Sequence, residues 1–350
     1  MKSGKSLTEL AVELDRQKNK RDYLADTTAL KMTDRGDLNV PVNGHSEDLP
    51  VNELAHNQIA QRVGIPAKYY DKMKSQSPEL MALNVNHWFN KNPEKRMVRT
   101  LDGNVRAFLS NRYRPLDNYD LAEAVLPKIQ GLNCTVESCE VTEKRLYLKV
   151  ITDRIVADIK KGDAVQAGLV ISNSEVGCGS LKVEPMIYRL VCLNGLILPD
   201  QAMKKYHVGK AGNEDIDDGA AEFFRDSTRL ADDRAFFMKV QDIVAATLDM
   251  VKFNMMVNKL RDAADRIIDA DPVKVLDNVG RKFDLTDAES GSIMQHLIKG
   301  ADLSQYGLIN AITRAAQDVD SYDRSTDLER IGGEILELPQ SQWKVLSTVN

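Results

Sequence analysis

Arg99, Arg106, Phe108, Arg112, Tyr113 and Arg114 crowd into one row of the chain, RMVRTLDGNVRAFLSNRYR, which runs from Arg96 to Arg114. Guanidinium groups hold phosphate oxygens through several N–H donors, and aromatic rings stack on bases without reading their identity. A surface that carries both suits a polyanion with stackable bases, single-stranded DNA first among them. Such binding weakens steeply with salt because it releases counterions. Lys182 and Arg189, on a later strand, complete the set of candidate nucleic-acid contacts.

The elements that must position these side chains follow from the same row. Asp102-Gly103 favours a two-residue type I′ turn, and strand-forming residues flank it on both sides. Closing the turn there pairs Leu101 with Asn104, Arg99 with Arg106, and Met97 with Phe108. Asn104, Arg106, Phe108, Ser110, Arg112 and Arg114 then share one face, while Val98, Thr100, Val105, Ala107 and Leu109 face a core. Arginines directly opposite each other repel, and a bound anion offsets that repulsion. The competing reading is internal: surface arginines commonly pair with carboxylates of their own chain, and a one-residue slip in register moves the whole set to the other face.

Sets that would carry catalysis are not assembled in the sequence. It contains no GxxxxGK[ST], no GxGxxG after a strand, no HExxH and no GxSxG. The loop Asn173-Ser174-Glu175-Val176-Gly177-Cys178-Gly179-Ser180 could cradle phosphate on its amides, but its glycines fit a tight turn better. His45, His56, His87, His207 and His296 are scattered. Cys192 with His207 lacks a third orienting group and fits a strand cysteine in a core. Asp102, Asp117 and Asp120 lie near the hairpin, where turn and cap roles account for them. Binding without catalysis is the expectation, with no cofactor and no metal.

Composition sets the outer bounds. The 350 residues are 43% hydrophobic and 28% charged, ordinary for a globular protein with two domains. No run approaches the ~20 apolar residues of a membrane span, and the first residues contain no uninterrupted apolar stretch of the kind a signal peptide needs. Cys134, Cys139, Cys178 and Cys192 form no CxxC, so free thiols in the cytoplasm are expected. The net charge of -5 argues against a nucleic-acid ligand, but its distribution argues the other way. Residues 60–116 hold 11 Lys/Arg against 4 Asp/Glu, whereas residues 213–350 hold 16 against 26.

Periodicity then divides the chain. Leu7, Leu10, Ala11 and Leu14 predict a helix over residues 6–19, and Leu38 to Val42 an extended piece. Helical spacing over Val51 to Val63 breaks at Gly64 and restarts after Ile65-Pro66. The stretch from His56 to Met73 fits a helix-turn-helix template, with Ile59, Ala60, Val63, Gly64, Ile65 and Tyr70 at its apolar and turn positions. Lys68, Tyr69 and Lys72 would form a thin recognition face. Pro78 to Asn90 and Tyr119 to Ile129 read as helices. Four strands follow between Cys134 and Leu193, with Pro185 implying an edge or bulge and Asn194-Gly195 closing the last.

The domains expected are an N-terminal helix and extended segment over residues 1–50, an α+β core over 51–207, a linker over 208–219, a helical domain over 220–332 and a tail over 333–350. Thr286 should cap a helix that begins with acidic residues, and Met238, Met250, Met255 and Met256 should fill cores or pack partner helices. The tail should bury little.

Three blocks now stand together. Val98-Arg99-Thr100-Leu101 with Arg106 to Asn118 is the first. Ile171 to Gly177 with Tyr188 to Gly195 is the second, and Ile65 to Tyr70 the third. In this order they resemble the phage- and plasmid-borne family called domain of unknown function 932, over residues 5 to 335. The resemblance implies a mobile-element origin and a cytoplasmic site of action, and it brings no activity or catalytic residue with it.

The fold class expected is therefore α+β, a mostly antiparallel sheet with flanking helices followed by a helical domain. The function expected is DNA handling by a phage or mobile-element protein, through single-strand binding or annealing-type recombination. The alternative is a protein-binding module that inhibits a host defence or replication factor through the acidic, Met-bearing helices. Homo-oligomerisation through those helices is a further expectation, and no membrane partner is.

Overall fold

The computed structural model describes residues 1–42, 44–113, 115–199 and 226–347. Its architecture is α+β, and its contacts divide it into two compact units. One comprises Ala11–Tyr119 together with Ser174–Gly179, and the other comprises Met1–Leu10, Asp120–Asn173 and Ser180–Asn350. The expected linker over 208–219 lies outside the described residues.

The boundary passes through helix α1 (Leu7–Arg16). In the N-terminal unit β1 (Arg21–Asp26) is followed by β2 (Lys31–Met32), β3 (Leu38–Val42) and β4 (His45–Leu49). Three helices come next, α2 (Glu53–Val63), α3 (Ala67–Gln76) and α4 (Pro78–Lys91), and then the hairpin β5 (Lys95–Leu101) and β6 (Asn104–Ser110). Strands β2, β3 and β4 form one small antiparallel sheet, and β1, β5 and β6 form another. Leu38, Val40, Ile59, Met81, Val85, Val98 and Phe108 meet in the core between these sheets and the helices.

In the C-terminal unit α5 (Asn118–Gly131) precedes β7 (Thr135–Val141), β8 (Leu146–Asp158), β9 (Ala164–Asn173), β10 (Lys182–Arg189) and β11 (Asn194–Ile197). These strands make one antiparallel sheet in the order β11-β10-β9-β8-β7. Pro185 sits one residue beyond the β10–β11 ladder, where its missing N–H is harmless, and its carbonyl accepts from the Leu198 amide at 2.9 Å. Asn194 and Gly195 do not form the turn. They pair with Arg189 and Tyr188, and Leu193 takes the left-handed backbone at φ 51°.

Among the described residues seven helices complete the unit: α6 (Asp226–Thr247), α7 (Met250–Ala264), α8 (Pro272–Phe283), α9 (Asp287–Gly300), α10 (Gln305–Ala315), α11 (Tyr322–Leu336) and α12 (Gln340–Ser347). Thr286 caps α9 in a reciprocal box with Glu289, as the sequence predicts. Sheet residues Val165, Ala167 and Ile187 share a core with Val257, Ile293, Ile312, Leu328 and Trp343 of the helices. The tail therefore buries more than expected, because Trp343 and Leu346 of α12 are both interior. Lys149 of β8 donates to Glu329 of α11 at 2.5 Å with both side chains wholly buried. No helix among the described residues is long and apolar enough to cross a membrane.

Helices α2 and α3 are joined by a turn at Gly64, where the helical spacing of the sequence breaks. Asn52 caps α2 by accepting from the Ala55 amide, and Gly64 ends it at φ 73°, a left-handed position that suits glycine. Ile59, Ala60, Ile65 and Tyr70 are all buried. Pro66 becomes the cap of α3 rather than its first residue. The Tyr70 hydroxyl and His56 Nδ1 lie 2.9 Å apart and join the two helices inside the core. Burial is the main cause that holds the His56 imidazole down at about 4, with Lys74 adding to it and Glu53, Asp71 and Asp37 opposing. Folded His56 thus binds a proton less readily than the unfolded side chain, so its share of stability is complete above the ordinary pKa of about 6.5 and is lost as pH falls toward 4. Urea unfolding should show about 3 kcal/mol lost from this source across that window. His56→Gln should flatten the profile, and equal slopes in the two proteins would refute the assignment.

Candidate functional site

The hairpin turns where expected, with Asp102 at φ 49° and Gly103 at φ 75°. Leu101 faces Asn104 and Thr100 faces Val105, and there the expected register ends. A bulge between Arg99 and Thr100 shifts the ladder by one residue, so Arg99 pairs with Ala107, Val98 with Phe108 and Met97 with Leu109. Arg99 and Arg106 are therefore not opposite each other. The extra residue also reverses which face the later side chains take.

Arg99 points inward and its side chain is wholly buried. Its Nε donates to Asp22 Oδ1 at 2.9 Å, its Nη1 to the Glu175 carbonyl at 2.7 Å, and its Nη2 to Asp117 Oδ1 at 3.0 Å. Asp22 stands directly across the ladder on β1, an opposite-charge cross-strand pair. Lys20 adds a second cation to Asp117 at 2.6 Å. Burial works against the Asp117 charge, but Lys20 and Arg99 outweigh it and hold the carboxyl below the usual aspartate range. Burial likewise opposes the Arg99 charge, and Asp22 and Asp117 overcome it.

Glu175 is the other centre of this network. Its carboxylate accepts from Arg106 Nη2 and from the Asn118 amide, the latter at 2.6 Å. The loop that carries it is pinned on both sides, since Tyr113 donates to the Ser174 carbonyl at 2.8 Å and Gln58 Nε2 to the Val176 carbonyl at 2.8 Å. Val176 packs on Ala107 and Leu109. Gly177 has φ 77°, and a Cβ there would come within 2.6 Å of Leu109. The loop is a turn rather than a phosphate cradle, because Ser174 Oγ already accepts from the amides of Val176 and Cys178.

The candidate contacts are therefore redistributed. Arg99 and Arg106 neutralise internal carboxylates, which corrects the expectation of an outward arginine face. Phe108 is buried and stacks on Phe89 with ring centroids 5.7 Å apart, so it offers no face to a base. Tyr113 is half-buried and tied to the loop, and burial pushes its hydroxyl up. Arg112 is exposed, and Arg114 lies outside the described residues.

The last two candidates belong to the C-terminal unit. There Arg189 grips Asp163 with two nitrogens at 2.5 and 2.8 Å, and Tyr306 donates to the same carboxylate. Lys182 is half-buried on β10 and forms no ion pair among the described residues. His207 also falls outside the described residues. No group of three or more His, Cys, Asp or Glu among the described residues converges as a metal would require.

Asp22, Lys20, Gln58 and above all Glu175 were not singled out by sequence reasoning. The one signal for Glu175 was a carboxylate beside Val176 in a glycine-bearing loop between two apolar strands. Arg62 on α2 is spent on Glu94, and Lys74 on Glu53. Lys68 and Lys72 on α3 are exposed and form no ion pair among the described residues. The Glu175→Ala variant should lose about 3–5 kcal/mol in denaturant unfolding, because it leaves Arg106 buried without its anion. A change below about 1 kcal/mol would show that the loop is not held by this carboxylate.

A family model described as a domain of unknown function (DUF932) matches residues 107–332. The match takes in the end of β6 from Ala107, the Glu175 loop, the five-stranded sheet and most of the C-terminal helices, while the α2–α3 pair and its Ile65 to Tyr70 block lie ahead of it. No curated protein and no solved structure matches the chain. The family match spans more than half of the 350 residues, and the protein belongs to the family of domains of unknown function 932.

Proposed function

We propose that this protein binds nucleic acid without catalytic chemistry of its own, and that it does so through the helix pair α2–α3 rather than the arginine hairpin. The observation that carries this reading is the contrast between the two surfaces. Arg99 and Arg106 are paired with internal carboxylates, whereas Lys68 and Lys72 stand one turn apart on α3, exposed and free of carboxylate partners among the described residues. Tyr69, 47% exposed, lies beside them.

The N-terminal unit holds 17 Lys/Arg and 15 Asp/Glu, a net charge of only +2. Attraction therefore comes from local placement, not from a strong overall field, and it is sensitive to salt. A single-strand annealing role needs exposed ring faces, and Phe108 and Tyr113 no longer supply them. In a gel-shift assay with single- and double-stranded DNA and RNA at two salt concentrations, the protein should retard at least one of them at low salt and release it at high salt. Lys68→Glu combined with Lys72→Glu should weaken retention roughly tenfold. If no nucleic acid is retarded even at low salt, the reading is wrong.

A separate observation favours the protein-binding alternative. Met238, Met250 and Met255 are 58%, 57% and 59% exposed on α6 and α7, so they do not serve as core filler. Methionine adapts to varied apolar partners. On this alternative, a partner captured from lysate should survive nuclease treatment and be lost when Met250→Asp is combined with Met255→Asp. Capture that disappears with nuclease would count for the nucleic-acid reading instead.

A further inference from the structure

We infer that α3 enters the major groove of double-stranded DNA, an inference that rests on the nucleic-acid reading above and names its ligand class. Of the ten residues of α3 only Tyr70 and Met73 are buried. They lie three apart, with half-buried Lys74 meeting Glu53 beside them, so the helix is fastened along one side and exposed over the rest of its circumference. A helix is roughly 10–12 Å across with its side chains, and the B-DNA major groove is about 12 Å wide. An element so exposed fits the groove. A helix buried along half its surface would not.

Its chemistry also suits that ligand. Tyr69, Lys72 and Gln76 recur at intervals of three and four and line one exposed face, with Lys68 a turn before Lys72. Lysine meets phosphates or guanine O6 and N7, and glutamine can bond the N6 and N7 edge of adenine, all within the major groove. The carboxylate of the helix, Asp71, lies 4.0 Å from Lys74, which also holds Glu53. The helix is rigidly placed, since the Tyr70 hydroxyl is fixed to His56 and Asn84 Nδ2 lies 3.6 Å from the Met73 sulfur.

Other nucleic acids fit less well. Single strands are held by stacking on several exposed rings, and on α3 Tyr69 stands alone, since Tyr70 and, on the hairpin, Phe108 are interior. The major groove of duplex RNA is too deep and narrow for a helix.

The test uses the full chain and fluorescence anisotropy at low salt with a labelled DNA duplex, its single strand and the RNA duplex of the same sequence. The DNA duplex should bind most tightly and be displaced by a major-groove dye such as methyl green, but not by a minor-groove ligand. Lys68→Glu with Lys72→Glu should weaken duplex binding at least roughly tenfold and make the logarithmic salt dependence shallower by about 2, with an unchanged circular dichroism spectrum. Preference for the single strand or for RNA, lost in the same variant, overturns the groove assignment and leaves the nucleic-acid reading standing. Displacement by the minor-groove ligand overturns the groove assignment likewise. Undiminished duplex binding by the variant overturns α3 as the contact, and no binding of any of the three removes both readings.

Discussion

Two arginines of the hairpin and one glutamate of a distant loop set the limits on what the N-terminal unit can do. Arg99 is wholly buried and holds Asp22, Asp117 and the Glu175 backbone at once, while Arg106 and the Asn118 amide hold the Glu175 carboxylate. Buried charges are tolerated only when each is paired and hydrogen-bonded, and separating one such pair costs about 3–5 kcal/mol. A phosphate that drew Arg99 outward would leave Asp22 without its cation and Asp117 with Lys20 alone. A hydrogen bond to a charged group returns only about 1.5–3 kcal/mol. The clamp therefore wins, and these guanidinium groups serve architecture rather than a ligand.

Much of this unit was legible because its signals are local. The Asn52 cap, the left-handed Gly64 and the alternation of buried Ile59, Ala60 and Tyr70 are all read from residues within a few positions of one another. The Asp102-Gly103 turn is local in the same sense. The bulge beyond it is not. Whether β6 takes one residue or two opposite Arg99 depends on what covers each face, and the covers are α2 and a loop 69 residues further on. Without those partners in view, an arginine at a strand position reads as exposed. The C-terminal unit repeats the lesson with Arg189, whose anion Asp163 is supplied from 26 residues away, and with Trp343, buried by helices that the tail alone does not reveal.

Charge asymmetry along the sequence misled for a related reason. The excess of Lys/Arg between residues 60 and 116 is real in the sequence, yet much of it is answered from outside that window. Asp22 and Glu175 meet Arg99 and Arg106 from before and after it. Counting charges in a window assumes that they act on solvent, whereas folding assigns several of them to each other. What is left over is smaller and sits elsewhere, on a helix that buries only Tyr70 and Met73.

The same ion network bears on where the folding unit of this family begins. The matched segment starts at Ala107, one residue after Arg106 and well after Asp22 and Arg99. A chain cut at that point would keep Glu175 and Asp117 and lose Lys20, Arg99 and Arg106, which hold them. Glu175 would then be left without the Arg106 guanidinium that answers its charge, even though Ala107 and Leu109 beneath Val176 would remain. The Glu175 loop of the matched segment is thus completed by residues that precede that segment. Strands β1 and β5 belong to it physically, since the cross-strand pair of Asp22 and Arg99 and the side chain of Arg106 complete the charge balance that its own residues leave open.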